Sequence, residues 1–196
     1  MYIHIKRIID FIIALIALIL LSPLFLILAL WIKFDSKGPV IFRQQRLGLN
    51  GDVFTLYKFR SMKVGAEAEG VYEKKGDTRV TKSGSFLRKT SLDELPQLVN
   101  MLVGDMSLIG PRPPLTYHPW PYEEYDSFQK KMFNVRPGIT GWAQVNGRKE
   151  VPWPKRIRLN VEYVENISLV LDIKIFFKTI FKVLKMEDNL NTDETV

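Results

Sequence analysis

The 196 residues include no cysteine, which excludes disulfides and thiolate metal sites and removes any pointer to an oxidising compartment. Histidine is scarce as well. His4 and His118 are too far apart in sequence to suggest a zinc cluster or a Ser-His-Asp triad, so any metal should be a hard ion held by carboxylates, such as Mg²⁺. There is no Gly-x-x-x-x-Gly-Lys-[Ser/Thr] phosphate loop, no Asp-x-Asp pair and no internal repeat. Acidic residues are the minority: 21 Asp and Glu against 28 Lys and Arg give a net charge of +7. That balance suits an anionic partner such as a nucleotide, a lipid phosphate or a membrane surface. Because the basic residues are spread along the chain, nucleic acid is not expected as a partner. The length suits one catalytic unit once a membrane segment is subtracted.

That segment is the most prominent feature present. Phe11 to Ile32 carries no charge, and about 22 residues at about 1.5 Å each would give roughly 33 Å of helix, enough to cross a bilayer. Ser22-Pro23 interrupts it with a residue that has no backbone donor, which predicts a bend. Positive charge flanks both sides, Lys6 and Arg7 before it and Lys33, Lys37, Arg43 and Arg46 after it. The positive-inside tendency then asks for both ends in the cytoplasm. A spanning helix and a re-entrant helix-break-helix are both open on the pattern alone.

Beyond the membrane segment, Val40-Ile41-Phe42 and Val53 to Tyr57 read as the strands of a small hairpin. Gly65 to Gly84 reads as a polar, mobile surface loop beside a short helix. Helices are expected over Thr90 to Leu102, Tyr122 to Met132 and Arg156 to Val164, with a stiff loop at Gly110-Pro111-Arg112-Pro113-Pro114. Leu171 to Met186 places Ile173, Phe176, Phe177, Ile180 and Phe181 on one face and four lysines largely opposite. That pattern fits an amphipathic helix lying in a membrane interface or one packed on a core. The tail 187–196 is polar and expected to fray.

The acidic pair Asp93-Glu94 follows Thr90-Ser91. A structural reading is available, since Ser91-Leu92-Asp93-Glu94 has the form of a capping box. A functional reading draws on nearby cations: Arg88, Arg112 on the proline-stiffened loop, and Lys58 and Arg60 on the second strand are candidates for a pyrophosphate cradle.

Several motifs taken together resemble the bacterial sugar transferases, that is, the monotopic phosphoglycosyl transferases. They are Ser22-Pro23, Tyr57-Lys58-Phe59-Arg60-Ser61-Met62, Leu87 to Leu98 around Asp93-Glu94, Gly104 to Pro113, and Val135 to Arg148. The similarity runs from about Lys6 to Lys185. It implies a re-entrant membrane helix broken at Ser22 and Pro23, and a two-step reaction in which Asp93 attacks the β-phosphate of a UDP-sugar. UMP would leave, and a polyprenyl phosphate would take the sugar phosphate from Asp93. Glu94 would assist, Mg²⁺ would sit at Asp93, and Lys58, Arg88, Arg112, Arg148 and Asp172 would surround the substrate. Asn160 departs from the family pattern, which has an aspartate there. Without further N-terminal membrane helices, the chain resembles the family's short form.

The expected architecture is therefore α/β, mostly helical with a small β-hairpin. It comprises a re-entrant membrane helix over residues 1–34, a catalytic domain over 35–186 carrying interfacial amphipathic helices, and the tail. The expected location is the bacterial inner membrane, with the catalytic domain facing the cytoplasm and membrane lipid as a partner. A homodimer is left open. The rival readings are a lipid-directed glycosyltransferase that releases UDP and a basic membrane scaffold without catalysis.

Overall fold

The computed structural model describes residues 2–70, 76–147 and 151–184. Its first element is a single helix, α1 (Tyr2–Asp35), which continues through Pro23. The expected break is not present as a break in helical structure, and there is a local reason. Pro23 cannot donate to the carbonyl four residues earlier, that of Ile19, but the Ser22 hydroxyl donates to this same oxygen at 2.8 Å. The vacated acceptor is thereby satisfied without the chain leaving the helix.

At 34 residues and about 1.5 Å per residue, α1 is about 50 Å long. It lies along the rest of the molecule rather than projecting from it. Near its start, Lys6 pairs with Asp172 at 2.6 Å, Arg7 donates to the Met101 and Leu102 carbonyls, and Asp10 accepts from the Leu108 backbone N–H. At its end, Asp35 accepts from the backbone N–H and hydroxyl of Ser83, at 2.9 and 2.8 Å. Between these ties Ala14 packs with Leu98 and Met101, and Leu28 and Ile32 pack with Phe59 and Leu87. The opposite face leaves Ile12, Ile16, Ile19, Leu20, Leu26, Ile27 and Phe34 exposed. By length and composition α1 could cross a membrane, yet both its ends are fastened to one body.

The hairpin follows as expected, with longer strands: β1 (Ile41–Leu47) runs antiparallel to β2 (Val53–Phe59). After it, Thr81 caps α2 (Lys82–Thr90) by accepting from the Gly84 N–H. Gly84 lies so close to the Ser61 backbone that a Cβ there would come within 1.9 Å of its carbonyl oxygen. Residues 71–75 of the expected loop lie outside the described residues.

The helix expected over Thr90 to Leu102 is divided. Thr90 ends α2, Ser91 adopts a left-handed conformation (φ 59°), Leu92–Glu94 form a 3-10 turn, and α3 (Gln97–Val103) begins after Pro96. Ser91 makes no side-chain cap, so the capping box inferred from the sequence is not formed. Proline at position 96 cannot donate to a preceding turn, which favours a restart of the helix there.

A short parallel pair, β3 (Ser107–Ile109) with β4 (Gly138–Thr140), was not expected; three-residue strands paired across the chain carry no local signature. The predicted helix over Tyr122 to Met132 is interrupted. Asp126 and Gln129 form a capping box that starts α4 (Ser127–Lys130), flanked by 3-10 turns. A single turn, α5 (Trp142–Val145), follows β4. Then come α6 (Trp153–Glu165), as expected, and α7 (Leu169–Leu184). The expected polar tail lies outside the described residues.

In α7 the core contacts come from Ile175 and Asp172, both buried, while Val170, Ile173, Phe177 and Phe181 stay exposed. Lys174 and Lys178 both lie over the Trp142 ring, at 5.4 and 5.0 Å. The aromatic face thus points away from the core, as an interfacial helix requires.

Candidate active site

Strand pairing sets the first wall of the site. In the register Phe42 to Lys58, Gln44 to Leu56 and Arg46 to Phe54, these side chains share one hairpin face. Arg46, Leu56 and Lys58 therefore line the same recess, together with Gln97, Arg112 and Pro113. Asn100, fully buried in α3, fixes β2 against the helix that follows the acidic pair. It accepts from the Tyr57 N–H at 3.0 Å and donates to the Thr55 carbonyl at 2.7 Å. Its contribution was not legible, because an asparagine inside a helix has many uses.

Asp93 and Glu94 sit on the 3-10 turn between α2 and α3, aimed by the left-handed Ser91. A non-glycine residue in that conformation costs about 1–2 kcal/mol, the kind of local strain that collects at functional sites. Arg112 comes from the Gly110–Pro114 loop, which is held on two sides. Gly110 donates to Thr140 O and Gly138 donates to Pro111 O, both at 2.9 Å, and Leu47 donates to Pro114 O at 3.0 Å. The crossing of the two chains needs Gly138, since a Cβ there would lie 2.1 Å from Gly110 N.

These elements converge on Glu94. Its Oε1 accepts from Lys58 Nζ at 2.7 Å and from Arg112 Nη2 at 3.4 Å. Among the described residues, no donor reaches the Asp93 carboxylate, although Asp93 is buried, at 9% exposure. The two acids diverge accordingly. Burial raises the pKa of Asp93 above the usual aspartate range. Lys58, Arg88 and Arg112 oppose this shift, and the Glu94 charge adds to it. For Glu94 burial acts in the same upward sense, but the Lys58 and Arg112 charges and hydrogen bonds outweigh it and hold the carboxyl well below its ordinary value. Glu94 is thus a fixed anion that orders two cations, and Asp93 is one that burial makes costly to ionise.

Of the residues singled out in the sequence, Lys58, Asp93, Glu94 and Arg112 are brought together. Arg88 donates from Nε to the Ser61 hydroxyl at 2.8 Å and lies near enough for its charge to act on Asp93. Asp172 is held elsewhere, accepting from Tyr2, Lys6 and Tyr163. Arg60 clamps the carbonyls of Ser36 and Lys37 at the end of α1 and is not part of the cradle. Arg148 lies outside the described residues, and Ser22-Pro23 lie within α1. Asn160 is buried in α6, and its Oδ1 meets no hydrogen-bond partner among the described residues. In the aromatic stretch, Trp120 and Tyr122 pack on the core, Trp153 contacts His118 and Arg156, and Tyr117 remains exposed. Arg46, noticed in the sequence only as flanking charge, is the recess residue that was missed. The register of the hairpin was the signal for it.

No cluster of three or more acidic or histidine side chains occurs among the described residues. Mg²⁺ commonly takes only one or two carboxylates and completes its shell with water and substrate phosphate. Asp93, whose oxygens meet no donor among the described residues, beside Glu94 is a set that fits such an ion.

The sequence pattern of a family described as bacterial sugar transferase matches residues 1–186. The chain is 47% identical over 186 residues to a UDP-glucose:undecaprenyl-phosphate glucose-1-phosphate transferase of Xanthomonas campestris pv. campestris, covering 91% of this chain and 38% of that protein. A protein of the same name from Escherichia coli (strain K12) is 46% identical over 183 residues, covering 90% and 39%. An uncharacterized sugar transferase, EpsL of Bacillus subtilis (strain 168), is 44% identical over 183 residues, covering 93% of this chain and 88% of that protein. The chain thus spans about two fifths of the length of the first two relatives.

Proposed function

Because this chain belongs to the bacterial sugar transferase family, we propose that it moves a sugar phosphate from a UDP-sugar to a polyprenyl phosphate, undecaprenyl phosphate in the bacterial case, releasing UMP. The observation that carries this reading is the division of labour between adjacent carboxylates: Glu94 holds Lys58 and Arg112, while Asp93 is buried without a donor among the described residues.

In the first step an Asp93 carboxylate oxygen attacks the β-phosphorus. The bond from that phosphorus to the oxygen bridging it to the α-phosphate breaks, and its electron pair leaves on UMP. A phosphosugar acyl-phosphate remains on Asp93. In the second, a phosphate oxygen of the polyprenyl phosphate attacks the same phosphorus and Asp93 is released as a carboxylate. A carboxylate approaching a diphosphate is repelled unless cations intervene. Lys58 and Arg112 are pre-oriented by Glu94 to receive phosphate oxygens, and Arg88 lies where its charge lowers the cost of ionising Asp93. Mg²⁺, held by Asp93 and Glu94, would supply charge neutralisation to the phosphate oxygens.

One substrate is soluble and the other a lipid, so the site belongs at a membrane surface. The exposed apolar faces of α1 and α7 supply an attachment. Since both ends of α1 are tied to the same body, we place it in one leaflet at the cytoplasmic face of the inner membrane. Ser22-Pro23, lacking one backbone hydrogen bond, is then the point at which it bends in lipid. The reading is tested by intact-protein mass after mixing enzyme, Mg²⁺ and a panel of UDP-sugars without acceptor. A sugar-phosphate adduct with stoichiometric UMP, absent in Asp93→Asn, is expected; UDP release without adduct would overturn the covalent route.

A further inference from the structure

Arg46 sits on the hairpin face that also presents Lys58 and lines the same recess. It is placed differently from the other cations there. Lys58 and Arg112 share the Glu94 carboxylate. Arg46 instead donates from Nη1 to the Pro113 carbonyl at 3.1 Å and from Nη2 to the Gln44 amide oxygen at 2.5 Å, both neutral acceptors. Its Nε is shut off from solvent with no acceptor among the described residues. Burial, followed by the nearby Arg112 charge, brings the guanidinium pKa down to about 10. The recess thus holds three cations against the Glu94 carboxylate, and Arg46 has no acidic partner among the described residues. Such an arrangement is unfavourable in the free protein and is relieved by an anion with several oxygen acceptors.

The neighbours of each group indicate which anion. On the shared hairpin face Lys58 lies at the Glu94 end, and Arg46, opposite Phe54, lies further along the hairpin. Arg112 binds Glu94, and the carbonyl of its neighbour Pro113 accepts from Arg46, so Arg112 stands between the Asp93-Glu94 turn and Arg46. A phosphorus under attack must lie at Asp93, and in an in-line displacement the leaving oxygen points away from the nucleophile.

Resting on the transferase reading above, we infer that Arg46 is a substrate-binding residue that contacts the phosphate of the departing nucleotide, UMP, rather than the phosphate that passes to Asp93. Arg112 bridges the two phosphates.

The test is titration of UMP, and separately of uridine, into the purified full-length chain in detergent, for the wild type, Arg46→Gln and Arg46→Lys. Melting temperature is followed for each. A lost charge-assisted contact to phosphate is expected to weaken UMP binding roughly ten- to hundredfold in Arg46→Gln. Uridine binding should be unchanged, and Arg46→Lys should fall between. UMP binding equal to that of the wild type would overturn the assignment while leaving the transferase reading intact. An equal loss of UMP and uridine would overturn it too, by showing that Arg46 only shapes the recess through Pro113. If Arg46→Gln does not fold, Arg46→Lys carries the test, because it keeps the charge and loses the planar fork. A folded wild type that neither binds UMP nor releases it from UDP-sugars would remove the transferase reading, and the Arg46 assignment with it.

Discussion

Asp93 and Asp172 are both buried aspartates near a lysine, and the resemblance to known transferases assigns both to the site. Their surroundings differ. Asp172 accepts from the Tyr2 hydroxyl at 2.5 Å, Lys6 at 2.6 Å and the Tyr163 hydroxyl at 2.7 Å, so its oxygens are saturated. It joins the start of α1 to α6 and α7. Asp93 accepts nothing among the described residues and feels the charges of Lys58, Glu94, Arg88 and Arg112. A saturated buried carboxylate has its energy already spent on holding the fold, whereas an unsaturated one keeps its lone pairs for a reacting atom.

The sharpest way to break this contrast is to neutralise each acid in turn. Asp93→Asn should lower UMP release by more than about 10⁴-fold, as expected for a lost nucleophile. It should also raise the melting temperature slightly, because an ionised group that is costly to bury has been removed. Asp172→Asn should do the reverse. Turnover in the folded protein should stay within a few-fold of wild type, and stability should fall by about 3 kcal/mol because Lys6 is left buried without its partner. Thermal unfolding beside a UMP assay decides between them, and equal loss of turnover in both variants would erase the distinction.

The pH profile sharpens the contrast further. In the proposed reaction Asp93 must be ionised to attack, and in the metal-free protein burial raises its pKa, so its titration, followed by carboxyl NMR without Mg²⁺, should be centred above the ordinary aspartate range. Lys58 opposes that shift, so Lys58→Gln should move the titration to higher pH; a titration that stays put would mean that Lys58 does not act on Asp93. The smallest effect is expected at Ser91. Glycine there removes the left-handed strain, and Ser91→Gly should change stability by less than about 1 kcal/mol, in the stabilising direction, as read by chemical denaturation.

Much of this was legible in the sequence. The apolar run, the hairpin, the helical segment that becomes α6, the α7 periodicity and the acidic pair beside basic residues are local patterns, and each is present in the structure. The α7 pattern was compatible with either a core or an interface, and only packing through Ile175 and Asp172 showed that the aromatic face is left outside. The division of the Thr90 to Leu102 helix was hidden because Ser91-Leu92-Asp93-Glu94 mimics a helix start. The true conformation depends on Ser91 being held left-handed by the elements on either side.

By itself the sequence determined that this is a cysteine-free, basic chain with one long apolar helix and an Asp-Glu pair set among candidate cations. Composition and short-range periodicity carry those properties, and they act within a few residues. The tertiary structure decided which cations meet which carboxylate: Lys58 and Arg112 on Glu94, Lys6 on Asp172, and Arg46, among the described residues, on neutral acceptors. It also decided that both ends of α1 return to one body. Such pairings join residues as far as 166 positions apart, and only the packing of the whole chain can select among partners that local chemistry makes equally suitable.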